Sequence, residues 1–435
     1  MKNKTYSKIK YFDLYGLRKE KGDFLESHSV KNTKWRELEL KEPNFWFVPK
    51  DMRGERLYKK FISVKDIFEK YSSGIKTHRD EFIVAQTKDE LITRLNIFVD
   101  RMNPDDYVDA IFKFKKHSGW NTIEARKQLI KEGIQDELVQ NYNYRIFDNR
   151  WIYFSSVLIT RLREDFMKNL LRNNLSLVTT RILSGESFQH VFISDKVGDI
   201  CFISNKGKES NYYFPLYLYD TSTYAPKKEE TKSSYKNLML FDKPKEKESN
   251  IKTEIIEKLS KAYKKKITPE EIFYYIYAVL YSSAYRKKYN EFLKIDFPKI
   301  PFTDDIKLFN KVSKLGKELA DLHLLKSKKL ENNKSVKFPA VGDNKAEKRE
   351  YKDNKIYIND KQYFTGITPE VWNYHIGGYQ VLDKWLKDRK DKDLSREEVD
   401  HYLKIITALK LTIKFQKEID ELYGEIEKSL IFCKK

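Results

Sequence analysis

The sequence predicts an α+β protein, and three observations lead to this class. After an initial strand, the first 140 residues mostly carry apolar side chains at helical spacing. Short β-rich runs punctuated by Gly and Asn follow between residues 142 and 219, which is typical of hairpins. A long amphipathic helix is predicted after Ser395. We therefore expect a helical N-terminal region, then a mixed α/β domain with short antiparallel strands and a long C-terminal helix.

The N-terminal region begins with strand-like spacing of Ile9, Tyr11 and Leu14, which predicts a strand and then a loop or short helix. Residues 61–71 have helical spacing, and Gly74 is the expected C-cap. Three further helices are predicted at residues 89–100, 105–114 and 122–132. This region should thus be mostly helical.

The β-rich region should contain short strands separated by turns. They are predicted at residues 151–154, 176–182, 190–193, 200–203 and 212–219. Further along, residues 355–359 predict another strand, and its hairpin partner should run through Tyr363 and Phe364.

Two capping boxes mark helix starts in the second half of the chain. Thr268 and Glu271 have the required spacing, with Pro269 at the first helical position. Ser395 and Glu398 repeat the pattern at the long C-terminal helix. Between them, residues 309–325 also have helical spacing.

The composition bounds the class of protein. Hydrophobic residues make up 40% of the chain and aromatic residues 14%, which excludes disorder throughout. The length of 435 residues predicts two or three domains. No run approaches the about 18 apolar residues of a membrane-spanning helix. Cys201 and Cys433 cannot form a disulfide framework or a four-ligand zinc site by themselves. We expect a soluble cytoplasmic protein with no membrane partner.

The charge points to a polyanion, although a lysine-rich proteome would also explain it. Lys and Arg number 85 against 65 Asp and Glu, a net charge of +20. Many lysines lie in residues 225–253 and 325–354, which we interpret as exposed connectors that need no ligand. The arginines concentrate between Arg145 and Arg181, where their planar groups suit phosphate and guanine edges.

No catalytic constellation stands out. The 15 glycines form no Gly-x-Gly-x-x-Gly or Walker pattern, which disfavours phosphoryl transfer. Ser73-Gly74 and Ser184-Gly185 supply only half of a nucleophile turn and are better explained as plain turns. The seven histidines lie far apart, so we predict no metal site and no catalytic residue.

Three polar segments nevertheless look specified beyond packing. Residues 73–80 could line a phosphate site or form an ordinary polar loop. Residues 144–150 set two arginines beside aromatic residues, for phosphate contact or for an Arg–Asp structural lock. Residues 372–382 combine Gly377-Gly378 with residue types that read base edges, or form a tight turn against a buried Trp385.

Seven collinear segments resemble the C-terminal half of type ISP restriction-modification enzymes and of related adenine-specific DNA methyltransferases. They are residues 74–80 (Gly-Ile-Lys-Thr-His-Arg-Asp), 144–150 (Tyr-Arg-Ile-Phe-Asp-Asn-Arg), 214–219 (Phe-Pro-Leu-Tyr-Leu-Tyr), 274–280 (Tyr-Tyr-Ile-Tyr-Ala-Val-Leu), 297–301 (Phe-Pro-Lys-Ile-Pro), 322–325 (Leu-His-Leu-Leu) and 376–387 (Ile-Gly-Gly-Tyr-Gln-Val-Leu-Asp-Lys-Trp-Leu-Lys). The resemblance covers nearly the whole chain. Ile146 stands where the family usually has proline, and Lys299 where arginine is usual.

The catalytic motifs of that family are missing from this sequence. The family's Asn-Pro-Pro-Tyr motif, which holds a flipped adenine, is absent, and the nearest string, at residues 103–106, lacks the second proline and the aromatic residue. The glycine-containing loop for S-adenosylmethionine is also absent. The resemblance therefore implies a fragment, split subunit or truncated product without cofactor of its own; S-adenosylmethionine is expected only for a full-length parent.

The resemblance implies three regions. Residues 1–70 would be a remnant of a methyltransferase-fold edge with a linker, residues 71–140 a helical coupler-like region, and residues 141–435 a DNA target-recognition domain with the connectors at 225–253 and 325–354.

The implied function is sequence-specific recognition of double-stranded DNA, without methylation by this chain alone. The candidate DNA-binding residues are Lys76, Thr77, Arg79, Arg145, Arg150, Tyr379 and Gln380. The alternative is a protein-interaction subunit that docks a separate methyltransferase or nuclease. A standalone nuclease is disfavoured because no convincing carboxylate cluster is found.

Overall fold

Two units make up the chain, residues 1–54 and residues 55–435. The computed structural model describes residues 8–40, 45–114, 120–185, 187–219, 247–331 and 335–432. Helices and small, mainly antiparallel sheets alternate along it, which confirms the predicted α+β class. The finer division of the chain at residues 70 and 140 stays a prediction.

The first unit contains a two-stranded antiparallel sheet and one helix. Its elements are β1 (Ile9–Tyr11), α1 (Arg18–Ser27) and β2 (Arg36–Leu38). β1 and β2 pair in antiparallel fashion, with Ile9 opposite Leu38. The Glu20 carboxylate accepts a hydrogen bond from the Leu17 backbone N–H at 2.6 Å, which satisfies a donor at the start of α1. The predicted strand and short helix are confirmed.

The second unit opens with short pieces of strand and helix, not with one long helix. They are α2 (Glu55–Tyr58), β3 (Ile62–Ser63), α3 (Val64–Ile67), β4 (Ser72–Ser73), α4 (Asp80–Ile83) and β5 (Val84–Ala85). The predicted helix at 61–71 is wrong because its flanks pair with distant strands. Ile62 lies opposite Ile300, and Phe68 forms a bridge with Ile251.

Three predicted helices in this region are confirmed. They are α5 (Lys88–Val99), α6 (Asp105–Phe112) and α7 (Thr122–Glu132). The buried Arg126 of α7 ties them together, since Nε donates to the Phe98 carbonyl at 2.7 Å and Nη2 to the carbonyls of Asp100 and Asn103.

The β-rich region forms two four-stranded sheets and one two-stranded antiparallel sheet. Its strands are β6 (Val139–Arg145), β7 (Asp148–Tyr153), β8 (Ser176–Thr180), β9 (Val191–Ser194), β10 (Val197–Gly198), β11 (Asn211–Pro215), β12 (Tyr217–Leu218) and β13 (Glu248–Ser249), with α8 (Glu164–Met167) between β7 and β8. The sheet orders are β10-β6-β7-β5 and β4-β11-β8-β9, and only β10 with β6 is parallel among the described strands.

The expected strand at residues 200–203 is wrong. A turn occupies this place, because the Asp199 carboxylate accepts a hydrogen bond from the Cys201 backbone N–H at 2.6 Å. An aspartate that bonds the backbone two residues on favours a turn over a strand.

Helices form most of the remaining chain. They are α9 (Thr253–Tyr263), α10 (Pro269–Tyr281), α11 (Ser283–Lys288), α12 (Asn290–Leu293), α13 (Ile306–His323), α14 (Pro369–Trp372), α15 (Val381–Lys387) and α16 (Arg396–Ile426). Both predicted capping boxes are present, at Thr268 with Glu271 and at Ser395 with Glu398. α10, α13 and α16 pack against one another, and α13 also packs against β9.

The strands of this part are short. They are β14 (Lys299–Ile300), β15 (Glu350–Lys352), β16 (Lys355–Tyr357), β17 (Tyr363–Thr365), β18 (His375–Ile376) and β19 (Tyr379–Gln380). The predicted hairpin is confirmed, since Tyr357 lies opposite Tyr363.

The two segments interpreted as exposed connectors are partly packed. Residues 225–246 of the first lie outside the described residues, but Asn250 is buried and its amide donates to the carbonyls of Lys70 and Pro215. In the second, residues 325–354, the side chains of Leu330, Val336 and Ala346 are buried. The prediction that both segments are exposed is therefore wrong for these residues. Hydrogen bonds of the Asn250 side chain hold the first segment in place, and buried apolar side chains hold the second.

Candidate functional site

A cleft of about 500 Å³ gathers several of the sequence-predicted residues. Lys76, Thr77, Arg79 and Arg145 all line it. Its other walls are residues 112–114 at the end of α6 and residues 199–201 in the turn after β10. The folding of the chain therefore brings together motifs that lie far apart in sequence.

The segment at residues 74–80 enters this cleft as extended backbone. Gly74 donates to the Asn211 carbonyl at 3.0 Å, and Ile75 exchanges hydrogen bonds with Gly198 and Ile200. A Cβ at position 74 would lie 2.6 Å from the Asp199 carbonyl, so a close approach of two backbones requires the glycine. The predicted role of Gly74 as a helix C-cap is wrong.

Thr77 and Arg79 are both buried in the segment. The Thr77 hydroxyl donates to the Asp80 carboxylate. Arg79 Nε donates to the Leu158 carbonyl and Nη2 to the Thr160 hydroxyl, both at 3.0 Å. Its guanidinium also lies 4.0 Å from the Trp120 ring centroid, and burial lowers the pKa of Arg79 to about 10. Both residues hold the cleft wall together.

Arg145 is committed to a buried carboxylate. Its Nη1 lies 3.2 Å from Asp199 Oδ1, and its guanidinium carbon is 3.8 Å from the Tyr144 ring centroid. The Tyr142 hydroxyl donates to the other Asp199 oxygen at 2.6 Å. Burial opposes the charged form of Arg145, but Asp199 raises the pKa of Arg145 above its ordinary value. Arg145 is thus a charged and well-oriented wall of the cleft.

Arg150 takes part in the Arg–Asp lock that the sequence offered as an alternative. Arg150 and Arg389 both pair with the buried Asp148, at 2.9 and 3.2 Å. Arg389 also pairs with Glu398 at the start of α16 and lies over the Trp385 ring. This network fastens β7 to the C-terminal helices.

Tyr379 and Gln380 lie on the β18–β19 hairpin, which packs beside the cleft. Gly377 has a φ of +59°, and a Cβ there would lie 1.8 Å from the Ile203 carbonyl oxygen, so the turn requires glycine. The buried Tyr379 donates to the Cys201 carbonyl at 2.8 Å, and the Gln380 amide nitrogen to the Trp372 carbonyl at 2.8 Å. The segment forms the tight turn that was the alternative interpretation.

Four cations at the rim have no ion-pair partner in the part of the chain that the structure describes. Lys76, which is half-buried, and Lys113, which is exposed, line the cleft. Arg161, bridged to Lys76, and Arg163, two residues further on, are exposed beside it. We call these four residues the rim cations. Lys76 and Arg161 are joined by two backbone hydrogen bonds of 3.1 and 3.0 Å. The sequence placed Arg161 and Arg163 in an arginine-rich stretch but not in the site, and nothing in its pattern singled out Lys113.

The described residues supply no metal centre. No group of three or more His, Cys, Asp and Glu side chains among them could hold a metal ion. Within the same residues, every helix is too short or too polar to cross a bilayer. The cleft is lined by several charged side chains.

The chain belongs to the family of type ISP C-terminal specificity domains, whose sequence profile matches residues 66–421. This confirms the resemblance and includes every candidate site residue.

Three solved structures share the fold. A nuclease-deletion mutant of the type ISP restriction-modification enzyme LlaGI, in complex with a DNA substrate mimic, has a TM-score of 0.66 at 19% identity and covers 94% of this chain and 33% of its own. A DrdV–DNA complex has a TM-score of 0.72 at 20% identity, covering 95% and 43%. The ATP-dependent type ISP enzyme LlaBIII bound to DNA has a TM-score of 0.65 at 20% identity, covering 92% and 27%. This chain thus spans less than half of each of these proteins. A search of curated proteins finds no match.

Proposed function

We propose that this chain binds double-stranded DNA and reads a short target sequence, as the specificity part of a restriction-modification adenine methyltransferase. Membership of the type ISP specificity-domain family supports this function. The three structures of similar fold are all complexes with DNA or with a DNA substrate mimic. Methyl transfer and S-adenosylmethionine binding would belong to a catalytic domain outside the described residues.

The observation that carries the proposal is the rim of four unpaired cations. A lysine or arginine without a carboxylate partner is available to a phosphate, and each such contact releases counterions from DNA. Lys76 and Arg161 are fixed relative to each other by their backbone bridge. Two cations whose backbones are held side by side suit neighbouring phosphates of one strand, because phosphate contacts set the register of a protein on DNA.

Of the residues that the sequence predicts to bind DNA, Lys76 and Gln380 have polar side-chain groups that remain available to a ligand. The Gln380 amide nitrogen is used by Trp372, whereas its carbonyl oxygen makes no hydrogen bond to the residues that the structure describes. An amide carbonyl accepts from the exocyclic amine of adenine or cytosine. Gln380 is therefore our candidate for base contact and Lys76 for phosphate contact.

Duplex binding at rising salt tests the function. Fluorescence anisotropy with a labelled random duplex should give an affinity whose logarithm falls linearly with the logarithm of the salt concentration. A salt-independent affinity, or no binding at low ionic strength, would contradict the proposal.

A second candidate function is the docking of a methyltransferase or nuclease subunit. It is favoured by the first unit, where Tyr15, Leu17 and Leu25 are 81%, 74% and 68% exposed and, among the described residues, no side chain of α1 is buried. Stable co-purification with such a subunit, without affinity for DNA, would support this function over DNA binding.

A further inference from the structure

A second cleft, of about 530 Å³, is lined in part by the β18 strand of the β18–β19 hairpin. α11 contributes Ser283, Arg286 and Lys287 to its wall. His375 of β18 and residues 187–189 line it as well. No residue predicted from the sequence to bind DNA lines this cleft.

Arg286 is held in position but not satisfied. Its Nε donates to the Leu280 carbonyl at 2.6 Å, and its guanidinium lies 4.6 Å from the Tyr281 ring centroid. Its Nη2 is shielded from solvent and finds no hydrogen-bond partner among the described residues. Arg286 as a whole is only partly buried and lines the cleft, so its positive charge is held in place at the wall where an anionic ligand would lie.

The positive charge at this cleft is not balanced. Arg286 and Lys287 form no ion pair within the described ranges, whereas the next residue, Lys288, pairs with Glu427. Glu370 is the one carboxylate in the described lining; it is 60% exposed and lies 3.9 Å from Lys417. The electrostatic preference of the cleft is therefore for an anion.

The ligand chemistry follows from the donors. A guanidinium fork matches the oxygens of a phosphate, and Lys287 adds a second charge at the rim. The Ser283 hydroxyl is exposed beside them. Asn290 of the same wall is already used within the protein, since its carbonyl accepts from the Phe188 backbone N–H at 3.3 Å and its amide donates to Glu291 at 3.4 Å.

The hairpin links this cleft to the proposed base-reading residue. His375, which lines the second cleft, is the direct cross-strand partner of Gln380. Paired residues in an antiparallel ladder lie about 5 Å apart. A nucleic-acid strand contacted by Gln380 would therefore run along a hairpin whose other strand lines the second cleft.

We propose that the second cleft binds a backbone phosphate of the DNA through Arg286, with Lys287 as a supporting charge. This inference rests on the proposed function. It adds a positioning contact in a cleft separate from the one that Lys76 lines.

Two measurements on the full chain test it. In the first, inorganic phosphate replaces chloride at constant ionic strength, and the thermal midpoint is followed. The wild type should show saturable stabilisation that Arg286→Gln abolishes and Lys287→Gln weakens. In the second, the salt dependence of duplex binding should be smaller by about one phosphate contact in Arg286→Gln, with an equal loss of affinity for every sequence.

Lys266→Gln is the matched control, because Lys266 is exposed and precedes α10 whereas Arg286 follows it. It should behave as the wild type in both measurements. Equal phosphate stabilisation in wild type and Arg286→Gln, or none in the wild type, would overturn the inference. Loss of phosphate stabilisation with an unchanged DNA salt slope would overturn the assignment to a DNA strand.

These outcomes are distinct from failure of the proposed function. If the wild type bound no duplex at all, the proposed function and the assignment to DNA would both fall, while the phosphate titration would still decide whether the cleft binds that anion. If Arg286→Gln failed to fold, Lys287→Gln, at an exposed position, would take its place in both measurements.

Discussion

Lys76 and Arg161 face each other across an isolated antiparallel bridge, with backbone hydrogen bonds of 3.1 and 3.0 Å in the two directions. Three strands, β5 to β7, lie between these residues along the chain, yet the fold makes the two residues neighbours beside the first cleft. Neither ammonium nor guanidinium has an ion-pair partner in the described chain. The bridge therefore holds the backbones of two available cations side by side.

Removing one of these charges should weaken DNA binding without changing sequence preference. Lys76→Gln and Arg161→Gln should each lower affinity several-fold and reduce the salt slope by about 1. Lys266→Gln should leave both quantities unchanged. Anisotropy titrations at four salt concentrations check this, and an unaltered slope in both variants would remove them from the interface.

Arg79 should matter for stability and not for salt dependence, because it is buried and hydrogen-bonded. Arg79→Ala should lower the free energy of unfolding by about 2–3 kcal/mol, since two acceptors lose their donor. Arg161→Ala should show the opposite pattern, a smaller salt slope at unchanged stability. Urea unfolding measures the first quantity. A stable Arg79→Ala protein with a reduced slope would show that Arg79 contacts DNA, as the sequence predicted.

The lock around Asp148 should be a major source of stability. Asp148→Asn would leave Arg150 and Arg389 without their buried carboxylate, which costs about 3–5 kcal/mol. Asp136→Asn is the control, because Asp136 is 83% exposed and 3.9 Å from Lys88. Denaturant midpoints compare the two variants. Equal stability would mean that the network adds nothing.

His323 should make the protein sensitive to acid. It is buried, with Nδ1 2.7 Å from the Tyr277 hydroxyl and Nε2 2.9 Å from the Thr412 hydroxyl. Thr412 donates to the Ala408 carbonyl, so it accepts from Nε2–H, and Nδ1 accepts from Tyr277. This arrangement fits a neutral ring, and burial, aided by the charge of Arg286, lowers the pKa of His323 to about 3.

The sign of the pH effect follows from the lowered pKa. Between pH 6.5 and 3 the unfolded chain binds a proton at this histidine and the folded chain does not, so stability falls as the pH falls. The loss should approach about 1.4 kcal/mol per pH unit well below pH 6.5. His323→Gln should have a shallower dependence in urea unfolding from pH 7 to 5. Parallel curves for the two proteins would contradict the assignment.

Gly377 should tolerate no side chain. Gly377→Ala adds a collision with the Ile203 carbonyl oxygen to the strain of a positive φ, whereas Gly133→Ala, at a φ of +75°, meets no atom within 4 Å. The control, whose ψ of 162° lies in a region that is essentially restricted to glycine, should lose about 1–3 kcal/mol of stability, and Gly377→Ala distinctly more. Gly377→Ala should also alter sequence preference, because the hairpin presents Gln380. Equal losses would show that the turn can shift.

Local signals in the sequence predicted part of the fold. The capping boxes at Thr268 and Ser395 are confirmed because side chain and backbone partners lie only three residues apart. The helix expected at 61–71 is wrong because Phe68 pairs with Ile251, a partner that lies far along the chain. The spacing of apolar residues within a short window does not show that a pairing partner lies far along the chain.

The site was predicted less well than the fold. The resemblance selected segments that the fold brings together, since Lys76, Thr77, Arg79 and Arg145 line one cleft. It could not distinguish exposed from buried members of a motif, because burial of Thr77 and Arg79 depends on packing against residues 158–160 and Trp120. Lys113 enters the site only through the fold, at the end of α6.

The central claim is that the rim cations bind DNA phosphates, and one comparison tests it most directly. The salt slope of duplex binding should be measured for the wild type and for the variant in which Lys76, Lys113, Arg161 and Arg163 are all replaced by Gln. The slope should shrink by roughly three to four in the variant, with its thermal midpoint preserved. An unchanged slope in a folded variant would contradict the account.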